Sequence, residues 1–157
     1  MRKQILKGVT MSMVVVAVGF MMAVASANAQ SSTVVAKVPF EFTVGDRPLP
    51  AGEYSLKAMT PGAEALAIRN QDSNRTAIRL TQTIVTGKAP KKTMLVFHRY
   101  GQQYFLCQVW HAGDSTGREL IKSKAERTIQ RQLAAIPSNS DLARNSYETI
   151  EIVAVVR

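Results

Sequence analysis

Two histidines are the residues of this chain best suited to acid–base chemistry or metal binding near neutral pH. They are His98 and His111. If the chain turns at Gly101, His98 pairs with Phe105 across an antiparallel hairpin, and His111 lies six positions beyond that pair. At ~3.3 Å per residue, the two imidazoles are about 20 Å apart, too far to share a metal ion. We expect His98 to be a hydrogen-bonded core residue; the alternative is a hydrolase centred on His98 or His111.

No nucleophile accompanies these histidines in a recognisable catalytic pattern. The segment from His111 to Gly117 contains aspartate and serine, but Ser–His–Asp catalysis needs the base within hydrogen-bond reach of the hydroxyl. Neighbouring turn residues rarely achieve this, and Asp114 and Ser115 belong to a common turn sequence. Cys107, the only cysteine, has no cationic neighbour that would activate it, so we expect an inert core thiol. The sequence therefore predicts no catalytic residue, no cofactor and no metal site.

A group of basic residues is the first candidate binding site. The chain has a net charge of +9, and the part after residue 29 retains +6. A basic face opposite an apolar stripe can lie on an anionic membrane or bind a polyanion; the alternative is an ordinary solvated face. Aromatic residues do not alternate with these charges, so we do not expect nucleic acid as a partner. The candidate anion-binding residues are Arg118, Lys122, Lys124, Arg127 and Arg131.

The second candidate binding site is a pocket beneath the one predicted helix. Aromatic side chains can line a sugar or lipid pocket if the helix leaves a gap above the sheet, although such side chains more often belong to the core. The partners expected for the two sites are an anionic envelope component and a small apolar ligand. The candidate pocket residues are His98, Tyr104 and Trp110.

The N-terminus has the pattern of a cleavable export signal. Basic residues within the first seven positions precede an apolar run over 9–25, which ends in Ala27-Asn28-Ala29. This order is typical of a secretory signal peptide; the alternative is a membrane anchor, since the run approaches the ~18 residues that span a bilayer. We expect a signal peptide over residues 1–29, export to the periplasm or medium, one domain over residues 30–157, and no further transmembrane segment.

Most of this domain alternates between apolar and polar residues, as half-buried β-strands do. The run from Val38 to Val44 is the first example, and Pro39 within it marks a strand start, an edge or a bulge. Because alternate side chains share a face of a strand, the pattern predicts one dry interior. Six side chains are expected to meet there: Phe40, Phe42, Tyr54, Ile68, Ile78 and Val96.

Two hairpins are predicted in the middle of the domain. A five-residue loop over 71–75 pairs Ile68 with Ile78 and places Arg69 and Arg79 side by side on the outer face. The second hairpin runs from Thr93 to His111 through a type II′ turn at Gly101-Gln102. Both of its faces are apolar, so we expect it to be central and covered on both sides. One face is predicted to carry Met94, Val96, Phe105, Cys107 and Val109, and the other Leu95, Phe97, Tyr104, Leu106 and Trp110.

A late helix is the only element available to cover the outer side of this hairpin. Ser123 is the predicted N-cap, with Glu126 reaching back in a capping box, and Pro137 ends the helix. Its apolar stripe is Ala125, Ile129, Leu133 and Ile136. About seven strands with one helix in the C-terminal half predict a mainly β fold, an antiparallel barrel or sandwich.

Several stretches of the domain resemble an uncharacterised family of small exported β-rich proteins of soil bacteria. The resemblance lies in residues 38–46 (V-P-F-E-F-T-V-G-D), 49–54 (L-P-A-G-E-Y), 97–110 and 117–127. It implies export and a compact β fold, and no activity or site residue. We therefore expect a non-catalytic exported domain with a structural, envelope-associated or small-ligand-binding role. The alternatives are anionic-surface binding and the histidine-centred hydrolase.

Overall fold

β-strands make up 56% of the described residues and helix 10%. The computed structural model describes residues 32–60, 62–73, 75–135 and 147–157, all within one unit, Ser32–Arg157. The predicted signal peptide and Pro137, the predicted end of the helix, lie outside the described residues. The prediction of a mainly β domain with one helix in its C-terminal half is confirmed.

The alternating residues form short strands, and a single helix, α1 (Lys124–Ala134), lies between the ninth and tenth strands of the described chain. The strands are β1 (Thr33–Val38), β2 (Phe42–Val44), β3 (Arg47–Leu49), β4 (Gly52–Ala58), β5 (Ala65–Asn70), β6 (Thr76–Val85), β7 (Met94–Tyr100), β8 (Gln103–Trp110), β9 (Thr116–Leu120), β10 (Glu148–Val153) and β11 (Val155–Val156). No helix in this part of the chain is both long and apolar enough to span a membrane.

The strands form two layers that share β6. The first half of β6 pairs with β5 and its second half with β9. The first layer continues through β4 and β1 to β11, and the second through β8 and β7 to β10. The sheet is not closed, because β10 and β11 are its two ends; Ala154 separates these successive segments. This arrangement is consistent with a sandwich-like fold.

An aromatic core fills the space between the layers. Phe42 packs edge-on against both Tyr54 and Phe97, with ring centroids 4.9 and 5.3 Å apart. Phe40 stacks on Tyr104 at the border of this core, at 4.0 Å. Aromatic pairs in these geometries stabilise a core beyond the effect of burial alone. The predictions for Phe40, Phe42, Tyr54 and Ile68 are therefore confirmed.

The other two predicted core residues lie elsewhere. Val96 is buried in a second cluster with Cys107 and Trp110, on the outer face of the second layer. Ile78 is 57% exposed, so its predicted place in the core is wrong. The cause is a register one residue away from the prediction, in which Ile68 pairs with Ala77.

The side chain of Asn70 explains this register. The side-chain oxygen Oδ1 of Asn70 accepts hydrogen bonds from the backbone N–H groups of Asp72 and Ser73, a local arrangement that tightens the turn. The backbone N–H of Asn70 then bonds to the carbonyl of Arg75, which leaves four loop residues rather than five. The slip sends Arg79 inward, where its guanidinium donates to the Val44 carbonyl. The predicted outer-face pair of Arg69 and Arg79 is therefore wrong.

The hairpin of β7 and β8 follows its predicted register from the turn as far as the pair of Phe97 and Leu106. Gly101 has φ +61°, as a type II′ turn requires, and His98 pairs with Phe105. The register then shifts between Val96 and Phe97, so that Val96 pairs with Gln108. A bulge exchanges the faces of the residues beyond it. Val109 therefore joins the core and Trp110 the outer cluster, the reverse of the prediction.

Two smaller differences concern strand boundaries. The predicted run from Val38 to Val44 is interrupted, because β1 ends at Val38 and β2 begins at Phe42. Pro39 has no backbone N–H to continue the ladder. A strand, β9, also begins at Thr116, within a segment predicted only as a turn.

Candidate functional site

The N-terminus of α1 places an acidic side chain against the sheet. Ser123 has the extended backbone of an N-cap, and its hydroxyl accepts a hydrogen bond of 3.0 Å from the Glu126 N–H. This confirms the predicted cap. The Glu126 carboxylate does not complete the predicted capping box; it contacts β7 instead.

Glu126 is the centre of a buried polar cluster, which we call the Glu126 cluster. Oε1 of the Glu126 carboxylate lies 3.1 Å from His98 Nδ1 and accepts a 3.3 Å hydrogen bond from the Tyr100 hydroxyl. Gln130, one turn along the helix, donates its amide N–H to the same hydroxyl at 2.7 Å. The ring of Tyr147 packs on the His98 imidazole with centroids 4.3 Å apart. These contacts tie α1 to β7 through polar groups.

The predicted apolar stripe plays a smaller part in docking the helix. Glu126 is the one buried residue of α1, whereas Ala125 is exposed and Ile129 and Leu133 are half-buried. Ile136 lies outside the described residues. Since Glu126, Ile129, Gln130 and Leu133 share the i, i+3, i+4, i+7 spacing of one helical face, that face lies toward the sheet. The stripe prediction is therefore wrong for Ala125.

A carboxylate hydrogen-bonded to an imidazole also occurs in hydrolytic sites, where a nucleophile lies beside the imidazole. The neighbours of His98 therefore decide whether such a site is present. Among the described residues, no hydroxyl or thiol is hydrogen-bonded to His98; its side chain contacts Glu126, Tyr100 and Tyr147. The Cys107 thiol donates to the Val96 carbonyl, and burial, reinforced by the nearby Glu126 charge, raises its pKa to about 12. An activated nucleophile next to the imidazole, which this chemistry needs, is not present in this cluster.

The segment after β8 is built as a turn. The Asp114 carboxylate accepts a hydrogen bond from the Thr116 N–H at 2.8 Å, and the Asp114 N–H bonds to the His111 carbonyl. The acid therefore caps its own turn and does not orient the imidazole of His111. No group of three His, Cys, Asp or Glu side chains in the described ranges is arranged to hold a metal ion.

The cations of α1 occupy the face opposite the Glu126 cluster. At 100° per residue, Lys124, Arg127 and Arg131 lie within about 60° of one another on the helix surface. All three are exposed. Among the described residues, none of them has a carboxylate within ion-pair distance. The ion pairs in this part of the chain join His98 to Glu126 and Arg99 to Glu148. We call these three residues the cationic helix face.

The other two candidate anion-binding residues lie apart from this face. Lys122 reaches back to Gln130, with its Nζ 3.4 Å from the amide oxygen. Arg118 donates to the Thr83 hydroxyl from β9. It alternates along β9 with Gly117, which lies against Trp110, so Arg118 points to the opposite side of the sheet from α1. Of the five candidates, the structure brings three together.

The three candidate pocket residues do not share a pocket. His98 is buried in the Glu126 cluster on the outer face, and Tyr104 stacks on Phe40 on the inner face. Trp110 is on the outer face, where its indole N–H donates to Gln108. A surface cleft of about 600 Å³ lies beside the hairpin turn, and its described lining is Arg99, Gly101, Tyr147 and Glu148.

Sequence reasoning did not select the residues that complete the Glu126 cluster. Tyr100 and Gln130 are 30 positions apart, and Tyr147 is 17 residues beyond Gln130 in the sequence. The one available signal was the acidic side chain three residues after Ser123, which was assigned to the cap. No family model, curated protein or solved structure matches this chain, and the resemblance to the exported soil-bacterial family stays a prediction.

Proposed function

We propose that this chain is an exported, non-catalytic domain that binds closely spaced anionic groups through its cationic helix face. The observation that carries the proposal is the division of charge on α1. Its one acidic residue, Glu126, is 3% exposed and bound to His98. The solvent side is left with Lys124, Arg127 and Arg131, unpaired within the described part of the chain.

The spacing of these cations suits a repeating anionic partner. With a rise of 1.5 Å per residue, the three side chains are distributed over about 10 Å of helix. Arg127 and Arg131 are four residues apart, a like-charge spacing that destabilises an isolated helix by about 0.2–0.5 kcal/mol. An array of phosphate, carboxylate or sulfate groups would relieve that repulsion and satisfy several guanidinium donors at once.

Neither alternative role has a comparable observation behind it. Among the described residues His98 has no nucleophile beside it, and the candidate ligand pocket is divided between two faces of the sheet. The Glu126 cluster is suited to a structural role. Its four polar side chains satisfy one another's hydrogen bonds and so hold the helix on the sheet. We therefore assign recognition to the exposed cations and helix docking to the buried cluster.

Retention on immobilised heparin, followed by a salt gradient, tests the proposal. A helix variant with Lys124→Gln, Arg127→Gln and Arg131→Gln should elute at much lower salt than the unmodified protein, because exposed charge pairs are screened by salt. The matched control is Lys88→Gln, Lys91→Gln and Lys92→Gln, which removes the same charge from exposed positions before β7. Equal elution of the two variants, or no retention of the unmodified protein at low salt, would contradict the proposal.

A further inference from the structure

An apolar row crosses four neighbouring strands on the outer side of the sheet. Ala65 pairs with Leu80, and extending the adjacent registers by one residue places Met59 opposite Ala65 and Ile121 opposite Leu80. Backbone hydrogen bonds from Met59 to Ala65 and from Ile121 to Leu80 support both extensions. Directly paired residues share a face of the sheet. With strands ~4.8 Å apart, the row is about 14 Å long.

The large side chains of this row are exposed to solvent. Met59, Leu80 and Ile121 are 56%, 62% and 57% exposed, and Ile78, two residues before Leu80 on the same face, is 57% exposed. We call these four residues the apolar patch. A one-residue change in the β5–β6 register would have turned Ile78 and Leu80 into the core, so the exposure follows from the Asn70 turn.

The apolar patch lies next to the cationic helix face. Ile121 is three residues before Lys124, the first residue of α1. Glu119 pairs with Gln108, which pairs with Val96 of the outer cluster, so Glu119 lies on the outer face. Ile121, two residues after Glu119 along the same strand direction, shares that face, which is also the face that carries α1. Lys57 pairs with Ala67, which in turn pairs with Ile78, and adds an exposed cation at the opposite border.

We propose that the apolar patch and the cationic helix face together form a contact surface for an anionic lipid bilayer. This inference rests on the proposed function and names its partner. Exposed aliphatic side chains flanked by lysine and arginine match the apolar acyl region and the anionic headgroup region of one leaflet. The apolar tips enter the boundary between these regions while the cations remain among the phosphates.

The size and border of the patch favour a bilayer over the other occupants. A row of about 14 Å with one further side chain covers much less than the ~800 Å² per partner that a stable dimer buries. A second copy placed on it would also bring like charges together at the borders. A soluble polyanion would engage the cations and leave four large apolar side chains in water, so it gives the patch no role.

Sedimentation with lipid vesicles tests the inference. The full chain and its variants are expressed alike and compared in the same processed form, so that residues 1–31 contribute equally to each. The vesicles are equimolar phosphatidylglycerol and phosphatidylcholine, with pure phosphatidylcholine as the reference. The patch variant carries Leu80→Ser and Ile121→Ser. The matched control carries Val153→Ser and Val155→Ser; these two valines lie on the C-terminal strands and are 59% and 63% exposed. Circular dichroism checks the fold of each variant.

We expect the patch variant to bind the anionic vesicles about tenfold more weakly than the control variant, with heparin retention unchanged. The unmodified protein should bind pure phosphatidylcholine much more weakly than the anionic mixture. Equal vesicle binding by the patch and control variants, with heparin retention intact, would overturn the bilayer and leave the proposed function standing. A self-association that the patch variant abolishes, without vesicle binding, would identify a second copy as the occupant and overturn the inference. If the unmodified protein is not retained on heparin at low salt, the proposed function itself is contradicted.

Discussion

The Glu126 cluster predicts that a single acidic side chain holds the helix on the sheet. Glu126→Ala removes the shared acceptor of His98 and Tyr100 while keeping the Ser123 cap, since that bond uses the Glu126 backbone N–H. Alanine is the better helix former of the two residues. Any loss of stability must therefore come from the contacts with β7 rather than from helix propensity.

The expected loss is about 3 kcal/mol. Hydrogen bonds to a charged group contribute about 1.5–3 kcal/mol each, and two are lost here, but Tyr100 keeps its bond to Gln130. The bond to Gln130 uses the Tyr100 oxygen as acceptor, so both the Tyr100 O–H and the buried His98 imidazole lose their partner. Against a typical total of about 5–15 kcal/mol, the change is large. Glu126→Gln keeps an acceptor oxygen at the same place, so we expect it to lose only about 1 kcal/mol.

Urea denaturation, followed by circular dichroism and by the fluorescence of Trp110, measures these changes. A double-mutant cycle with His98→Ala should give a coupling of at least about 1 kcal/mol, because the two side chains act as a pair. The control is Gln132→Ala on the exposed side of α1, where substitutions change stability by about 0.5 kcal/mol or less. If Glu126→Ala loses less than about 1 kcal/mol, or the cycle shows no coupling, the polar tie is refuted.

Two further predictions concern raised pKa values. Because the pKa of Cys107 is about 12 rather than the ordinary 9.0, iodoacetamide at pH 8 should modify the native thiol at least about 1000-fold more slowly than the urea-unfolded one; comparable rates would contradict the buried thiol. Burial and the Glu126 charge also raise the pKa of Tyr100 above 10.0. The unfolded chain releases the Tyr100 proton first, so the contribution of Tyr100 to stability should be constant below about pH 9 and fall as the pH rises further. Tyr100→Phe should reduce that slope in urea titrations, and an unchanged slope would refute the assignment.

Local sequence signals predicted those parts of the fold that depend on few residues. Gly101 defined the β7–β8 turn, and Ser123 defined the start of α1, because each position satisfies a local backbone requirement. Alternation identified most of the strands and much of the aromatic core. Registers were less predictable, since a bulge at Val96 and Phe97 and the tight turn at Asn70 each shift the pairing by one residue. One residue of shift exchanges the two faces of a strand.

The site was predictable only in part, for the same reason. The cationic helix face follows from helical periodicity alone, and Lys124, Arg127 and Arg131 share one side as expected. The Glu126 cluster joins residues from β7 and α1 with Tyr147, the residue before β10, and no local pattern marks residues so far apart as partners. The apolar patch could not be predicted either, because it exists only in the observed register of β5 and β6.

Net charge and helix geometry predict opposite effects of Glu126→Ala on heparin retention. Glu126→Ala makes the protein more basic, so net charge alone predicts stronger retention on heparin. If the Glu126 cluster holds α1 in place, the same substitution loosens the helix that aligns Lys124, Arg127 and Arg131, and retention should fall because the cations are no longer preorganised. Glu119→Gln is the matched control, since it removes an equal charge from β9 without touching the helix contacts. Weaker retention of Glu126→Ala alongside unchanged or stronger retention of Glu119→Gln is the result expected of a positioned surface. Stronger retention of both would show that the cations act only through net charge.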